Sequence, residues 1–399
     1  MLQQLYARLE AIYPELVAFR RDMHRFPELS HEEVETPAKI AAYLSALGLE
    51  VRTGVGGRGV VGKLRGGKPG KTVALRADFD ALPIHDEKEV EYKSQVAGVM
   101  HACGHDIHTA GLLGVAKVLS EHREKIAGTV VFIHQFGEEK QPGGARPMVA
   151  DGCLDGVDVI YGVHVSSELP IGKVGITPGY ATAASARFDI EIQGKGGHGA
   201  APHIAIDSVI VGSQLALNLQ QIVSRKVDPL KPAVLTIGTF QAGTGMGATI
   251  ADTAKLIGTV RTYDSDVQDF IEEEMSRIIK ATCELSGASA RFSYKRGYPA
   301  TWNHPEEAAR VERAIRETIG QEKVIRMEPM MGAEDFSIYA QEIPGVFFFV
   351  GARNPEQNAI YPHHHPKFDV DERAMLVAGK CFISAVFDFL ADGDADRHG

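Results

Sequence analysis

At 399 residues the chain is longer than a single hydrophobic core usually spans, so two domains are expected. Its 44% hydrophobic and 24% charged residues suit a water-soluble globular protein, and a net charge of -10 argues against nucleic-acid or polyanion binding. Cys103, Cys153, Cys283 and Cys381 are too scattered for a disulfide framework and point to a reducing, cytoplasmic setting; the mixed residues 1–10 read as neither a signal peptide nor a membrane span.

In chain order, Leu5, Leu9, Ile12, Leu16 and Phe19 recur at helical spacing and predict one amphipathic helix over 3–25, ended by Pro27. A second helix over 35–47 stops at Gly48. Short strands follow at 60–64 and 72–77, then a helix over 112–120, an apolar strand at 129–135, and strands at 157–163 and 172–176. This alternation predicts an α/β fold with a mostly parallel sheet. The middle of the chain reads differently. Strands at 186–192, 233–240, 254–262 and 290–294, with helices at 206–223 and 267–285, give the order β-α-β-β-α-β of a ferredoxin-like unit. Residues 185–295 are therefore expected to form a separate α+β domain inserted between 1–184 and 296–399. A helix over 305–319, a strand at 346–350 and a helix over 371–390 resume the first pattern, and the small, polar tail 391–399 is expected to fray.

Residues suited to metal chemistry recur where this reading places strand ends or nearby loops. The densest stretch is Met100-His101-Ala102-Cys103-Gly104-His105-Asp106-Ile107-His108. Thiolate and neutral imidazole are natural ligands of zinc and similar ions, and Cys103 and His105 can reach one ion from an irregular turn. Asp78 and Asp80 follow one apolar strand, Gly137-Glu138-Glu139 follow another, His164 closes a third, and His363-His364-His365 lie near the C-terminus. In open α/β sheets, ligands gather at the carboxyl ends of strands. Each segment alone has an ordinary reading as a solvated turn, a core histidine or a surface run; it is their recurrence that points to one site. The paired glutamates are the most informative, since one can ligate a metal while its neighbour acts as a base on activated water.

The ordered motifs resemble those of the M20 metallopeptidase/amidohydrolase family, in particular its N-acyl-amino-acid amidohydrolases, which include hippurate and auxin-conjugate hydrolases. The resemblance runs from Arg21-Asp22-Met23-His24-Arg25-Phe26-Pro27-Glu28 through residues 75–83, 100–106 and 138–152. It continues through Gly196-Gly197-His198-Gly199, Gly258-Thr259-Val260-Arg261 and Gly332-Ala333-Glu334-Asp335-Phe336 to the histidine run. It implies a catalytic domain with two divalent ions, bridged by Cys103 and held also by His105, Glu139, His164 and His364, with His363 as the alternative to His364. It implies Glu138 as general base and an orienting role for Asp80. It also implies that residues 185–295 are a lid and dimerisation domain, whose His198 stabilises the oxyanion in a partner subunit, with His203 as a further substrate contact. A homodimer is expected, with a tetramer left open. One departure stands out: where the family reads Asn-Val-Ile-Pro-Asp, this chain has Ala248-Thr249-Ile250-Ala251-Asp252, and the asparagine amide expected to meet substrate is missing.

The activity so implied is metal-dependent hydrolysis of N-acyl-L-amino acids to a carboxylic acid and a free amino acid. A thiolate ligand favours zinc on softness grounds, with manganese, cobalt and nickel as alternatives. The resemblance also accommodates a metallocarboxypeptidase or dipeptidase. A non-catalytic metal-binding scaffold is the reading from a different class.

Overall fold

The computed structural model describes residues 1–395, so the end of the tail expected to fray, 396–399, lies outside the described residues. The chain divides into two compact units, one of residues 1–181, 301–329 and 335–399 and the other of residues 182–300 and 330–334. The short return of 330–334 to the second unit has no counterpart in the sequence pattern. It is made by backbone pairing, with Ala183 N–H donating to Gly332 O at 2.8 Å.

The first unit opens with two helices where the periodicity predicts one: α1 (Leu2–Ala11) and α2 (Tyr13–Arg25). The break falls at Ile12, because Pro14 has no N–H to continue the α1 ladder and fits only the first turn of a new helix. Helix α3 (Glu35–Ala46) follows. The sheet is built from β1 (Glu50–Val55), β2 (Gly59–Arg65), β3 (Lys68–Asp78), β4 (Ala127–Gln135), β5 (Val159–Pro170), β6 (Val174–Ile176), β7 (Val324–Arg326) and β8 (Gly345–Arg353). Its order is β1-β2-β4-β3-β5-β8-β6-β7. The four central strands, β4, β3, β5 and β8, are mutually parallel; β2 and β6 join their two sides antiparallel, β1 pairs antiparallel with β2, and β7 pairs parallel with β6. Where these strands cross the middle of the sheet, at residues 73–77, 130–133, 159–163 and 346–350, they are buried and mostly apolar because both faces are covered.

Helix α4 (His105–Ser120) begins seven residues before its predicted start, so His105 is the first helical residue rather than part of an irregular turn. Two further long helices of the unit are α5 (Pro305–Ile319) and α6 (Ala374–Ala395). The stretch Ala374–Ala391 is long and apolar enough to cross a membrane, yet 67% of it is buried inside the fold, packed on α4 and α5.

In the second unit the strands Ala233–Ala242, Thr253–Thr262, Ala184–Gln193 and Ser289–Arg296 form an antiparallel sheet in that order. Alternate residues of Ala184–Gln193 point inward, and Phe188 and Ile190 pack against Leu215, Leu256, Ile271 and Met275. The two helices supplying that core are Ser208–Gln221 and Ser265–Ser286, and each is capped by an aspartate, Asp207 and Asp264.

Candidate active site

The site lies in the first unit, at the carboxyl ends of neighbouring parallel strands. Asp78 and Gln135, the last residues of β3 and β4, are register partners, so the residues just beyond them emerge side by side. Those residues are Asp80 from one strand and Glu138 and Glu139 from the other. His164 does not close its strand as the sequence suggests. It is the sixth residue of the twelve-residue β5, which runs on to Pro170, but two residues earlier Gly162 pairs with Arg76, so His164 stands level with Asp78. Cys103 precedes α4 and His105 starts it, separated by Gly104 at φ +93°. A Cβ on Gly104 would meet Val165 Cγ2 at 2.4 Å, so only glycine lets this turn lie against β5.

Two sets of donors converge. Cys103, His105 and His164 each offer an atom within 4.8 Å of the others, and so do Cys103, Glu139 and His364; Cys103 is common to both sets. A third set at the same spacing joins His105, Glu138 and Glu139. Cys103 Sγ lies 3.4 Å from His164 Nε2, and His364 Nε2 lies 3.2 Å from Glu139 Oε1. His364 holds a left-handed backbone (φ +64°), fixed by its N–H donating to Ala102 O at 2.8 Å, beside Cys103. The neighbouring His363 differs: its Nε2 accepts the Ser167 N–H at 3.3 Å.

The groups behind these side chains set their tautomers. His105 Nδ1 donates to Asp80, at 3.0 Å from both Oδ1 and the backbone oxygen, which turns Nε2 toward the cluster. His164 Nδ1 donates to Val165 O at 2.7 Å, leaving its Nε2 for Cys103. Asp80 Oδ2 accepts from Glu139 N–H (3.0 Å) and Ser30 Oγ (2.7 Å), so one carboxylate aligns a histidine and a glutamate. Asp78 holds His108 Nδ1 at 2.6 Å, and His108 Nε2 accepts the Val165 N–H at 2.9 Å, which ties the His164 strand to α4. Arg76, fully buried, joins Asp78, Gln135 and Asp335.

The electrostatics call for positive charge. Burial opposes a charged ring at His105, but Asp78 and Asp80 outweigh it and hold its pKa up at about 10. Burial, and then the Glu139 and Glu138 carboxylates, push the Cys103 thiol well above its ordinary value. His105 Nε2 is buried without a hydrogen-bond partner, and Glu139 Oε1 has only the His364 ring within reach. Orphaned polar atoms of this kind are costly unless something coordinates them. A divalent ion answers all three features, so this soft-and-hard donor set fits the group the sequence calls for.

A family model described as peptidase family M20/M25/M40 matches residues 74–387. The chain belongs to this family. Among its M20 relatives, it is 42% identical over 375 residues to thermostable carboxypeptidase 2 of Saccharolobus solfataricus, covering 93% of this chain and 94% of that one. It is 43% identical over 304 residues to an N-acyl-L-amino acid amidohydrolase of Geobacillus stearothermophilus, covering 76% and 82%. Its fold superposes on a dinuclear metal-binding M20 peptidase of Bacillus subtilis with a TM-score of 0.82 and 34% identity, covering 96% and 99%.

The second unit of this M20 chain carries the other two residues singled out in the sequence. His198 sits on a two-residue strand, Gly197–His198, paired with Thr249–Ile250. Its Nδ1 accepts the Ala200 N–H at 3.1 Å, which leaves Nε2–H as a donor. Gly199 N–H donates to Ala248 O at 2.7 Å, so the residue that departs from the family pattern adjoins the His198 turn. His203 is exposed on the short helical turn Pro202–Ile204. The sequence reasoning missed Ser30, Glu33 and Arg76, and it named Asp78 and His108 among the metal-type residues without seeing that they pair behind the site. For Arg76 and Asp78 there was a signal: two charges on one face of the otherwise apolar, buried end of their strand, residues 73–78.

Proposed function

We propose that this M20 hydrolase cleaves the amide bond of N-acyl-L-amino acids. The observation that carries the proposal is the end of β4, where Glu139 turns into a thiol–imidazole cluster and Glu138 stands in the same 4.8 Å group as His105. Cys103, His105, Glu139, His164 and His364 would hold two divalent ions, with zinc favoured by the thiol. His364 is preferred to His363 because the His363 Nε2 lone pair is already taken by Ser167. Bound there, such ions supply Lewis acidity that makes water acidic near neutral pH and polarises the amide carbonyl.

Glu138 accepts a proton as the water oxygen bonds to the carbonyl carbon, then returns it to the nitrogen as the C–N bond breaks. Asp80 keeps His105 and Glu139 in position through both steps. His198, with Nε2–H free to donate, steadies the oxyanion from a partner subunit, and His203 is a further substrate contact. A homodimer through residues 185–295 is supported by Ile210 and Leu217, 54% and 72% exposed two turns apart on one helix. Light scattering would test that state. A cytoplasmic location is in keeping with four free cysteines.

The carboxypeptidase name of one relative favours peptide cleavage as the second reading. N-acetyl- and N-benzoyl-L-amino acids run against dipeptides, on metal-reconstituted enzyme, separate the two. Turnover of the acyl amino acids supports the first reading, and turnover of dipeptides alone replaces it with the second.

A further inference from the structure

The turn bearing the two glutamates is gripped from outside by a short N-terminal loop. Glu33 Oε1 accepts the Gly137 N–H at 2.9 Å, and His31 Nε2 donates to Lys140 O at 2.7 Å. Between them, Ser30 holds the Asp80 oxygen that accepts the Glu139 N–H. Glu138 is thus bracketed on both sides by contacts from residues 30–33.

The fit is close and conformationally demanding. His31 has φ +67°, uncommon for a side chain, and Gly137 has φ +65°. A Cβ on Gly137 would meet His31 Cε1 at 2.7 Å, so the imidazole lies directly on the glycine. Strained backbone of this kind persists where neighbouring contacts over-determine it. The loop is anchored in turn by Glu28, whose carboxylate accepts the N–H groups of Val34, Glu35 and Thr36 at 2.8, 3.0 and 2.8 Å. That gives the Pro27-Glu28 stretch, singled out in the sequence but unused by the chemistry, a structural purpose.

Glu33 is the telling member. It is fully buried, its Oε2 makes no hydrogen bond, and Arg58 Nε stands 3.9 Å away. An apolar side chain would fill this space at lower cost, but none could accept the buried Gly137 N–H. We propose that Glu33 is a positioning residue that fixes the direction in which Glu138 projects, by holding the amide just before it. This rests on reading Glu138 as the general base.

The test compares Glu33→Ala and Glu33→Gln in the metal-loaded protein, with N-acetyl-L-methionine as probe. Glutamine keeps an oxygen for Gly137 and alanine does not. A misplacement of about an ångström costs on the order of 100-fold. Alanine is therefore expected to lower kcat by roughly 30- to 100-fold with KM and metal content unchanged, and glutamine to restore most of it. Hydrogen exchange of the peptide covering 136–140 gives a readout independent of substrate: it should speed up in the alanine variant and not in the glutamine variant. Wild-type kcat in Glu33→Ala, failure of glutamine to rescue, or unchanged exchange would each overturn the proposal. Should the alanine variant not fold, Glu33→Asp, one methylene short of the amide, replaces it. Glu138→Gln separates the two ideas. If it keeps wild-type turnover, the general-base reading falls. If it is inert while Glu33→Ala is fully active, only the positioning role falls.

Discussion

Replacing Asp80 by asparagine removes one of two services its carboxylate performs at once. Oδ1 holds His105 Nδ1–H, and Oδ2 holds both Glu139 N–H and Ser30 Oγ–H. An amide has a single oxygen. Whichever side receives it, the NH2 group then faces a donor on the other: the His105 ring, which must change tautomer, or the Glu139 amide. The lost bond is charge-assisted, worth about 1.5–3 kcal/mol where buried. That corresponds to roughly a 10- to 100-fold change in an equilibrium constant. Groups that orient a metal ligand from behind cost about 10- to 100-fold in affinity when removed, so two independent routes agree. The assay is competition for zinc against a fluorescent chelator near neutral pH, with Tm of the metal-free protein measured alongside. Zinc affinity in Asp80→Asn equal to that of the wild type would refute the reasoning that this carboxylate sets the donor geometry.

Three further outcomes are expected. Glu138→Gln should lower kcat by about 10²- to 10⁴-fold while metal content stays at the wild-type level, checked by elemental analysis of the same sample. Burial, reinforced by Asp80, lifts Glu33 from 4.5 to about 7, while backbone N–H groups, Gly137 among them, pull the other way. The folded protein therefore binds this proton more tightly than the unfolded chain, and stability is lost as pH rises from 4.5 through 7, by about 3 kcal/mol in all. Urea unfolding of Glu33→Gln beside the wild type should show the variant gaining relative stability across that window, and parallel curves would contradict it. Ala248→Asn, which restores the family amide beside the His198 turn, should raise kcat/KM on acyl amino acids by about 3- to 10-fold, the worth of one hydrogen bond, with Tm unchanged.

The sequence reveals the donors because they interrupt apolar strands or cluster densely, as at Cys103-Gly104-His105 and Glu138-Glu139. It also carries the alternation that marks residues 185–295 as a sheet with two helices, since each element there writes its own period. What it does not reveal depends on contacts formed only after the sheet assembles. Ser30, His31 and Glu33 read as an ordinary polar loop, and nothing local says that Gly137, over a hundred residues later, packs against them. The partnership of Asp78 with His108 needs α4 laid on β3, and the Ser167 contact that occupies His363, beside the His364 the resemblance already favoured, needs β5 in place. The start of α4 at His105 was hidden for a local reason. Gly104 reads as a helix breaker, yet its left-handed φ makes it the turn that launches the helix.

The most direct measurement is hydrolysis of an N-acetyl- and N-benzoyl-L-amino acid panel by chelator-stripped protein, before and after reconstitution with zinc, manganese or cobalt. The account predicts no cleavage by the stripped protein, recovery with metal, and release of free amino acid from at least one acyl amino acid. Cleavage that survives complete metal removal, or stoichiometric metal uptake with no hydrolysis of any acyl amino acid, would contradict it.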